Sequence, residues 1–122
     1  MEFSEPKGIY QQIADQIRDQ ILLDQWKGGE RIPSIRELAV ELGVNPNTVT
    51  KSYQALVEQN VIENQRGLGY FVNTDAKDKI LNDRKTEFLS EQLPRLFRTM
   101  RLLNVGMDEL TEYFESNTGE KS

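Results

Sequence analysis

With 122 residues, 37% apolar content and a net charge of −5, the chain has room for one small domain, or one domain with an appendage, around a limited core. It contains no cysteine and no histidine, which excludes disulfides, zinc knuckles and thiol catalysis and removes the commonest general base and metal ligand. No apolar run reaches the ~18 residues of a membrane span, and the start Met1-Glu2-Phe3-Ser4-Glu5-Pro6-Lys7 is too polar for a signal peptide, so a cytoplasmic protein is expected.

Residues 1–8 read as a loosely docked lead-in. Ile9, Ile13, Ile17 and Ile21 then recur every four residues, with Tyr10, Ala14 and Leu22 beside them, and predict an amphipathic helix over about 9–24. Lys27-Gly28-Gly29-Glu30 is expected to end it, the glycines supplying a left-handed exit. Arg31-Ile32-Pro33 should be extended, because a residue before proline avoids the helical region, and Ile32 is placed to join the hairpin below as a short third strand. Ser34 and Glu37 have the spacing of a capping box that opens a second helix, with Ile35, Leu38, Ala39 and Leu42 facing inward. Gly43 is a left-handed stop and Val44 plugs the core at the turn. Asn45 caps a third helix with Pro46 at its first position, where a missing N–H costs nothing. Val49, Tyr53, Leu56 and Val57 face inward, and the helix ends near Asn60. Val61–Gln65 and Tyr70–Asn73 are strands joined by Arg66-Gly67-Leu68-Gly69, whose glycines allow the positive φ of a tight hairpin.

Helix, turn, helix and hairpin in that order make a winged helix-turn-helix over residues 1–73, with a third helix sized to enter a DNA major groove. The fold class expected is mainly α with a small β-wing. Residues 74–122 read as a helical dimerisation appendage. Ile80, Leu81, Phe88, Leu89, Leu93, Leu96, Phe97, Met100 and Leu103 mark one face of a helix over 75–103 that Pro94 should kink. Asn104-Val105-Gly106 ends it, a last helix Met107–Glu115 shows Met107, Leu110, Tyr113 and Phe114, and Gly119–Ser122 is a frayed tail. The expected interface between two copies comprises Leu81, Phe88, Leu89, Leu93, Leu96, Phe97, Met100, Leu110 and Phe114. Within it, the stripe Phe88, Leu89, Leu93, Phe97 and Met100 could cradle an unknown small-molecule effector, although such stripes are more often packing seams.

The start of the third helix carries the candidate chemistry. Asn45 and Asn47 can bond adenine bidentately, Thr48 and Thr50 can meet a thymine methyl or a phosphate, and Lys51 can neutralise a backbone charge. Free N–H groups at this helix end would favour a phosphate. Ser34 and Arg36 stand at the start of the preceding helix, where Arg36 can reach a phosphate or a guanine edge or else pair with Glu37 or Glu41. Arg66 and Gly67 form the wing tip, suited to the minor groove. The plain alternative is a polar surface helix with a good cap and an ordinary hairpin. Tyr53 and Trp26 read as core, with the Tyr53 hydroxyl still able to reach a phosphate. Glu37/Glu41 and Glu87/Glu91 are carboxylate pairs four residues apart, but no nucleophile has a base beside it and Gly67-Leu68-Gly69 is too short for a nucleotide-binding loop. No enzyme, metal or cofactor is expected. Residues 1–73 hold seven Lys and Arg against ten Asp and Glu, so sequence-independent DNA binding should be weak, and tight binding should need specific sites and two copies.

The strings Gly29-Glu30-Arg31-Ile32-Pro33-Ser34-Ile35-Arg36-Glu37-Leu38-Ala39, Leu42-Gly43-Val44-Asn45-Pro46-Asn47-Thr48-Val49 and Arg66-Gly67-Leu68-Gly69-Tyr70-Phe71-Val72 resemble the GntR family of bacterial transcription regulators over about residues 9–73. The short C-terminal part resembles the YtrA-like branch, in which two C-terminal helices make the dimer. The resemblance implies that Ser34, Arg36, Asn45, Asn47, Thr48 and Lys51 face DNA, with Arg66 and Gly67 in the wing. The chain departs from other branches at Pro46 and Thr50, where arginines are common. The expected function is a homodimeric repressor that binds a palindromic double-stranded operator, with a transporter operon as the implied target. A winged helix serving as a protein-interaction module is the rival that the acidic charge favours.

Overall fold

A computed structural model describes residues 8–117; the lead-in over 1–7 and the tail over 118–122 lie outside the described residues. The chain forms two compact units that divide between Asp83 and Arg84.

The first unit begins with helix α1, Ile9–Leu22, whose Ile13, Ala14, Ile17 and Ile21 are buried. Its exit differs from the expected glycine exit. The left-handed residue is Asp24 at φ +61°, a conformation that aspartate visits more readily than most residues other than glycine. The glycines serve the next turn instead: Gly29 has φ +87°, and a Cβ on Gly28 would stand 2.8 Å from Thr74 Cα. From there the chain pairs with the wing, as expected for Ile32. Gly29 N donates to Val72 O at 2.8 Å, Val72 N to Glu30 O at 2.9 Å and Ile32 N to Tyr70 O at 2.9 Å, and Arg31 bridges Phe71 in antiparallel register.

Helix α2, Ile35–Leu42, opens on the expected capping box. Glu37 N donates to Ser34 Oγ at 3.0 Å, and Ser34 N donates to Glu37 Oε1 at 2.9 Å. Gly43 ends it at φ +69°. Leu42, expected inside, is exposed. The left-handed turn carries Val44 back over the helix end, where its N–H bonds the Ala39 carbonyl at 3.1 Å, and Val44 packs against the core as expected.

Helix α3, Pro46–Glu58, buries Val49, Ser52, Tyr53 and Leu56. Ser52 is fully buried, with its hydroxyl 2.7 Å from the Tyr10 carbonyl and 3.2 Å from that of Thr48, so the start of α1 is tied to α3. The Tyr53 hydroxyl donates to Pro33 O at 2.7 Å, and its ring meets Tyr70 edge-on at 4.8 Å. Burial, then the neighbouring Tyr70 and the carboxylates of Glu37 and Glu41, pushes this phenol far above its ordinary value. It is a neutral donor committed to the fold and does not reach outward to a phosphate.

Strands β1, Ile62–Gln65, and β2, Gly69–Val72, form the wing in antiparallel register from Ile62↔Val72 to Gln65↔Gly69. Helix α4, Ala76–Glu87, follows. Ala76 and Ile80 join the buried cluster of α1, α2, α3 and the wing. The first unit therefore includes α4 as far as Asp83, and Ile80 belongs to its core and not to an outward apolar face. Lys77 and Asp24 pair at 2.9 Å in the same unit.

The second unit holds a π-helical turn, Phe88–Gln92, then α5, Leu93–Leu103, and α6, Met107–Asn117. The π turn ends just ahead of Pro94, where a kink was expected. Proline lacks an N–H and its ring crowds the carbonyl four residues back, so a regular α-turn is disfavoured there. Asn104 ends α5 in the left-handed region at φ +59°.

Candidate nucleic-acid interface

Two helix starts and one hairpin tip present the residues singled out from sequence. Asn45 caps α3 through its own side chain, with Asn47 N donating to Asn45 Oδ1 at 2.8 Å. Thr48 N and Val49 N both turn back to Asn45 O, at 2.9 and 3.4 Å, and Pro46 has no N–H to offer. The first-turn donors are thus already engaged. The expectation that free backbone N–H groups at this end would hold a phosphate fails, because the cap has consumed them. What α3 presents is side chains. Asn47 is exposed and its amide makes no hydrogen bond among the described residues. Thr48 is half-buried, Thr50 donates its hydroxyl to Pro46 O at 3.0 Å, and Lys51 is exposed.

At the start of α2 the Ser34 hydroxyl accepts from Glu37 N at 3.0 Å and also bonds the Glu37 carboxylate, so it is engaged in the cap. Arg36 is exposed beside it, without the ion pair to Glu37 or Glu41 that was the alternative. At the wing tip Arg66 and Leu68 are exposed. Gly67 lies at φ +80°, and Leu68 N closes the turn on Gln65 O at 2.8 Å.

Two residues outside the sequence-derived set adjoin these elements. The ring of Tyr10 lies under the Lys51 ammonium, 5.9 Å from Nζ to the ring centre, a cation–π arrangement that restrains the long side chain. Arg31 lies alongside the wing at Gly69. No spacing rule connects Tyr10 to Lys51 or Arg31 to Gly69, since both contacts come from tertiary packing.

The Glu37 carboxyl sits below the ordinary value of 4.5. The Ser34 backbone N–H is the largest cause, followed by the Ser34 hydroxyl, with the charge of Arg31 adding to it. A carboxylate whose folded value is depressed stabilises the fold fully above its unfolded value and loses that contribution as pH falls through the folded one. Wild-type protein should therefore exceed Glu37→Gln in thermal stability at pH 7. The gap should narrow as pH falls below 4.5, as paired melting curves at pH 7 and pH 3 would show; a gap that stays constant would remove Glu37 from the cap's electrostatics.

In the second unit, Phe88, Leu93, Leu96, Met107, Leu110, Tyr113 and Phe114 line an apolar groove of about 760 Å³. Of the residues expected between two copies, Leu81, Phe88, Leu89, Leu96 and Phe114 are exposed in the single chain, Leu93, Phe97 and Leu110 are half-buried, and Met100 is buried. Among the described residues no group of three or more acidic side chains could hold a metal ion, and no helix is long and apolar enough to cross a membrane.

A family profile of bacterial regulatory proteins, gntR family, matches residues 9–72. The HTH-type transcriptional repressor YtrA of Bacillus subtilis is 35% identical over 107 residues, which cover 88% of this chain and 82% of that protein. The crystal structure of a GntR-family protein from Bacteroides thetaiotaomicron superposes with a TM-score of 0.78 at 43% identity, over 93% of this chain and all of that one. The DNA-binding domain of AraR, solved in complex with operator ORR3, superposes with a TM-score of 0.50 at 28% identity, over 59% of this chain and 94% of that domain.

Proposed function

Since the chain belongs to the GntR family of bacterial regulatory proteins, and is a transcriptional regulator with a winged-helix DNA-binding domain, we propose that it acts in the cytoplasm as a homodimeric repressor of a palindromic operator. The observation that carries the reading is the exposed, polar start of α3, with the Asn47 amide unengaged and Lys51 beside it. Buried Val49, Tyr53 and Leu56 hold the opposite side of the helix against the core, so the polar side must face out. Asn47 then reads a base edge, Thr48, Thr50 and Lys51 meet the adjoining backbone, and Ser34 and Arg36 fix the register from α2. Asn45 flanks the readout while it caps the helix. Arg66 and Gly67 follow the neighbouring minor groove.

Dimerisation is supported by the apolar groove of the second unit, which a lone chain leaves exposed to water. Two-fold symmetry places the half-sites about one helical turn, or ~34 Å, apart. Repression is supported by the repressor that YtrA is named as. A transporter operon as the target rests on the family resemblance alone.

The test is binding of the purified protein to the DNA upstream of its own gene, followed by fluorescence anisotropy. Asn47→Ala should weaken specific binding by about 1–3 kcal/mol, the value of one bidentate base contact, with no shift in melting temperature because the amide holds nothing in the fold. Unchanged affinity would remove Asn47 from the readout.

A further inference from the structure

We propose that Arg31 is a DNA-backbone contact, seated in the space left by the missing side chain of Gly69. It adds to Arg36, Lys51 and Arg66, and it rests on the reading above that this face meets DNA.

The register carries the placement. Arg31 bridges Phe71 in antiparallel pairing, so its side chain leaves the ribbon on the face that Phe71 shares with Gly69. Tyr70 and Val72 alternate to the other face, where Tyr70 meets Tyr53 and Val72 is buried. The guanidinium therefore lies on the outer side of the wing, away from the core. A Cβ on Gly69 would stand 2.8 Å from Arg31 Nε and 3.5 Å from Nη2. Any residue but glycine would displace the guanidinium, over and above the strain of φ +119°. The same charge reaches Glu37 at the start of α2 and helps to hold that carboxyl ionised. Arg31 is thus linked both to the helix start that carries Ser34 and Arg36 and to the hairpin that carries Arg66.

The seat is built, yet the head group's hydrogen-bond donors are unengaged. Arg31 is exposed and makes no ion pair or side-chain hydrogen bond among the described residues. Arg31 acts on the Glu37 carboxylate only through space, without closing an ion pair, and its planar fork of donors stays free of protein partners among the described residues. That fork matches a phosphate in two-point geometry. In a domain with seven cations against ten acids over residues 1–73, one positioned guanidinium weighs heavily in the salt-dependent part of binding.

The experiment is operator binding across a salt series for wild type, Arg31→Lys, Arg31→Gln and Arg31→Met, with melting curves to confirm that each is folded. Arg31→Met keeps the stem beside Gly69 and removes only the charge. Removing one phosphate contact should lower the slope of log K against log salt by about 0.9 per bound protomer. It should weaken binding about fivefold per protomer near 0.15 M salt, equally on operator and on random DNA, which is the same counterion term evaluated at that concentration. Arg31→Lys should keep the wild-type slope. An unaltered slope in both neutral variants would overturn the proposal, whether or not affinity falls, since a fall alone means that Arg31 only shapes the wing. A loss confined to the operator would also overturn it, in favour of a base contact. Failure of the wild type to bind any DNA would instead sink the functional reading on which the proposal rests.

Discussion

Phe114→Asp is expected to convert the protein to a monomer and to weaken operator binding by about 10²–10⁴-fold, the range over which a tethered second binding event raises avidity. Phe114 is 69% exposed in the single chain and lines the groove between α5 and α6 with Phe88, Leu93, Leu96 and Leu110. A carboxylate there costs the isolated chain little, because water still reaches it. In a paired interface it would be buried among apolar side chains without a partner, which is far more costly than losing the ring alone. The first unit has its own core of Ile17, Leu38, Val49, Tyr53, Leu56 and Ile80, so it should stay folded. Each winged helix should then bind a half-site singly. Sedimentation velocity and anisotropy on a full and a half operator would check this. A variant that stays dimeric would show that the groove is not the dimer seam, and a monomer that binds the full operator as tightly as wild type would show that tight binding does not need two copies.

Tyr53→Ala should destabilise the first unit by about 3–5 kcal/mol, the usual cost of deleting a buried aromatic. Tyr53 is 0% exposed. Its ring packs edge-on to Tyr70, and its hydroxyl satisfies the Pro33 carbonyl where the chain enters α2. One side chain thus joins the third helix, the wing and the segment ahead of the second helix. Tyr53→Phe separates the two roles: packing is kept, and the carbonyl loses its donor at about 1–3 kcal/mol. Urea unfolding of both variants would measure this. A loss under 1 kcal/mol for the alanine variant would mean that the three elements are held by other contacts.

What was readable from residue order was local. Ser34 with Glu37, Asn45 ahead of Pro46, Gly43 as a stop and the isoleucine stripe of α1 each express a rule that acts within one turn, and each appears in the structure. What escaped depended on neighbours distant in sequence. Leu42 carries the same apolar signal as Leu38, but only packing shows that it stays outside, whereas Val44 packs against the core as its place in the turn implied. Ala76 and Ile80 carry the same apolar signal as Leu81, but only packing shows that they close the first core while Leu81 remains outside. Asp24 in place of a glycine at the end of α1 follows from where the next turn must go. In the interface, the identities of the polar side chains were legible, whereas the seating of Lys51 on Tyr10 and of Arg31 on Gly69 was not.

The self-made cap of α3 gives its two asparagines unequal vocabularies. With Oδ1 held on Asn47 N at 2.8 Å, the Asn45 amide is fixed in the cap with one acceptor site used, and its two amide hydrogens suit acceptors such as a phosphate oxygen, or N7 and O6 of guanine. Asn47 keeps both halves of its amide and can give and take at once, which is what the paired N7 and N6 of adenine require. Of two identical side chains two positions apart, the fold commits one to the cap and leaves the other with its whole amide unengaged.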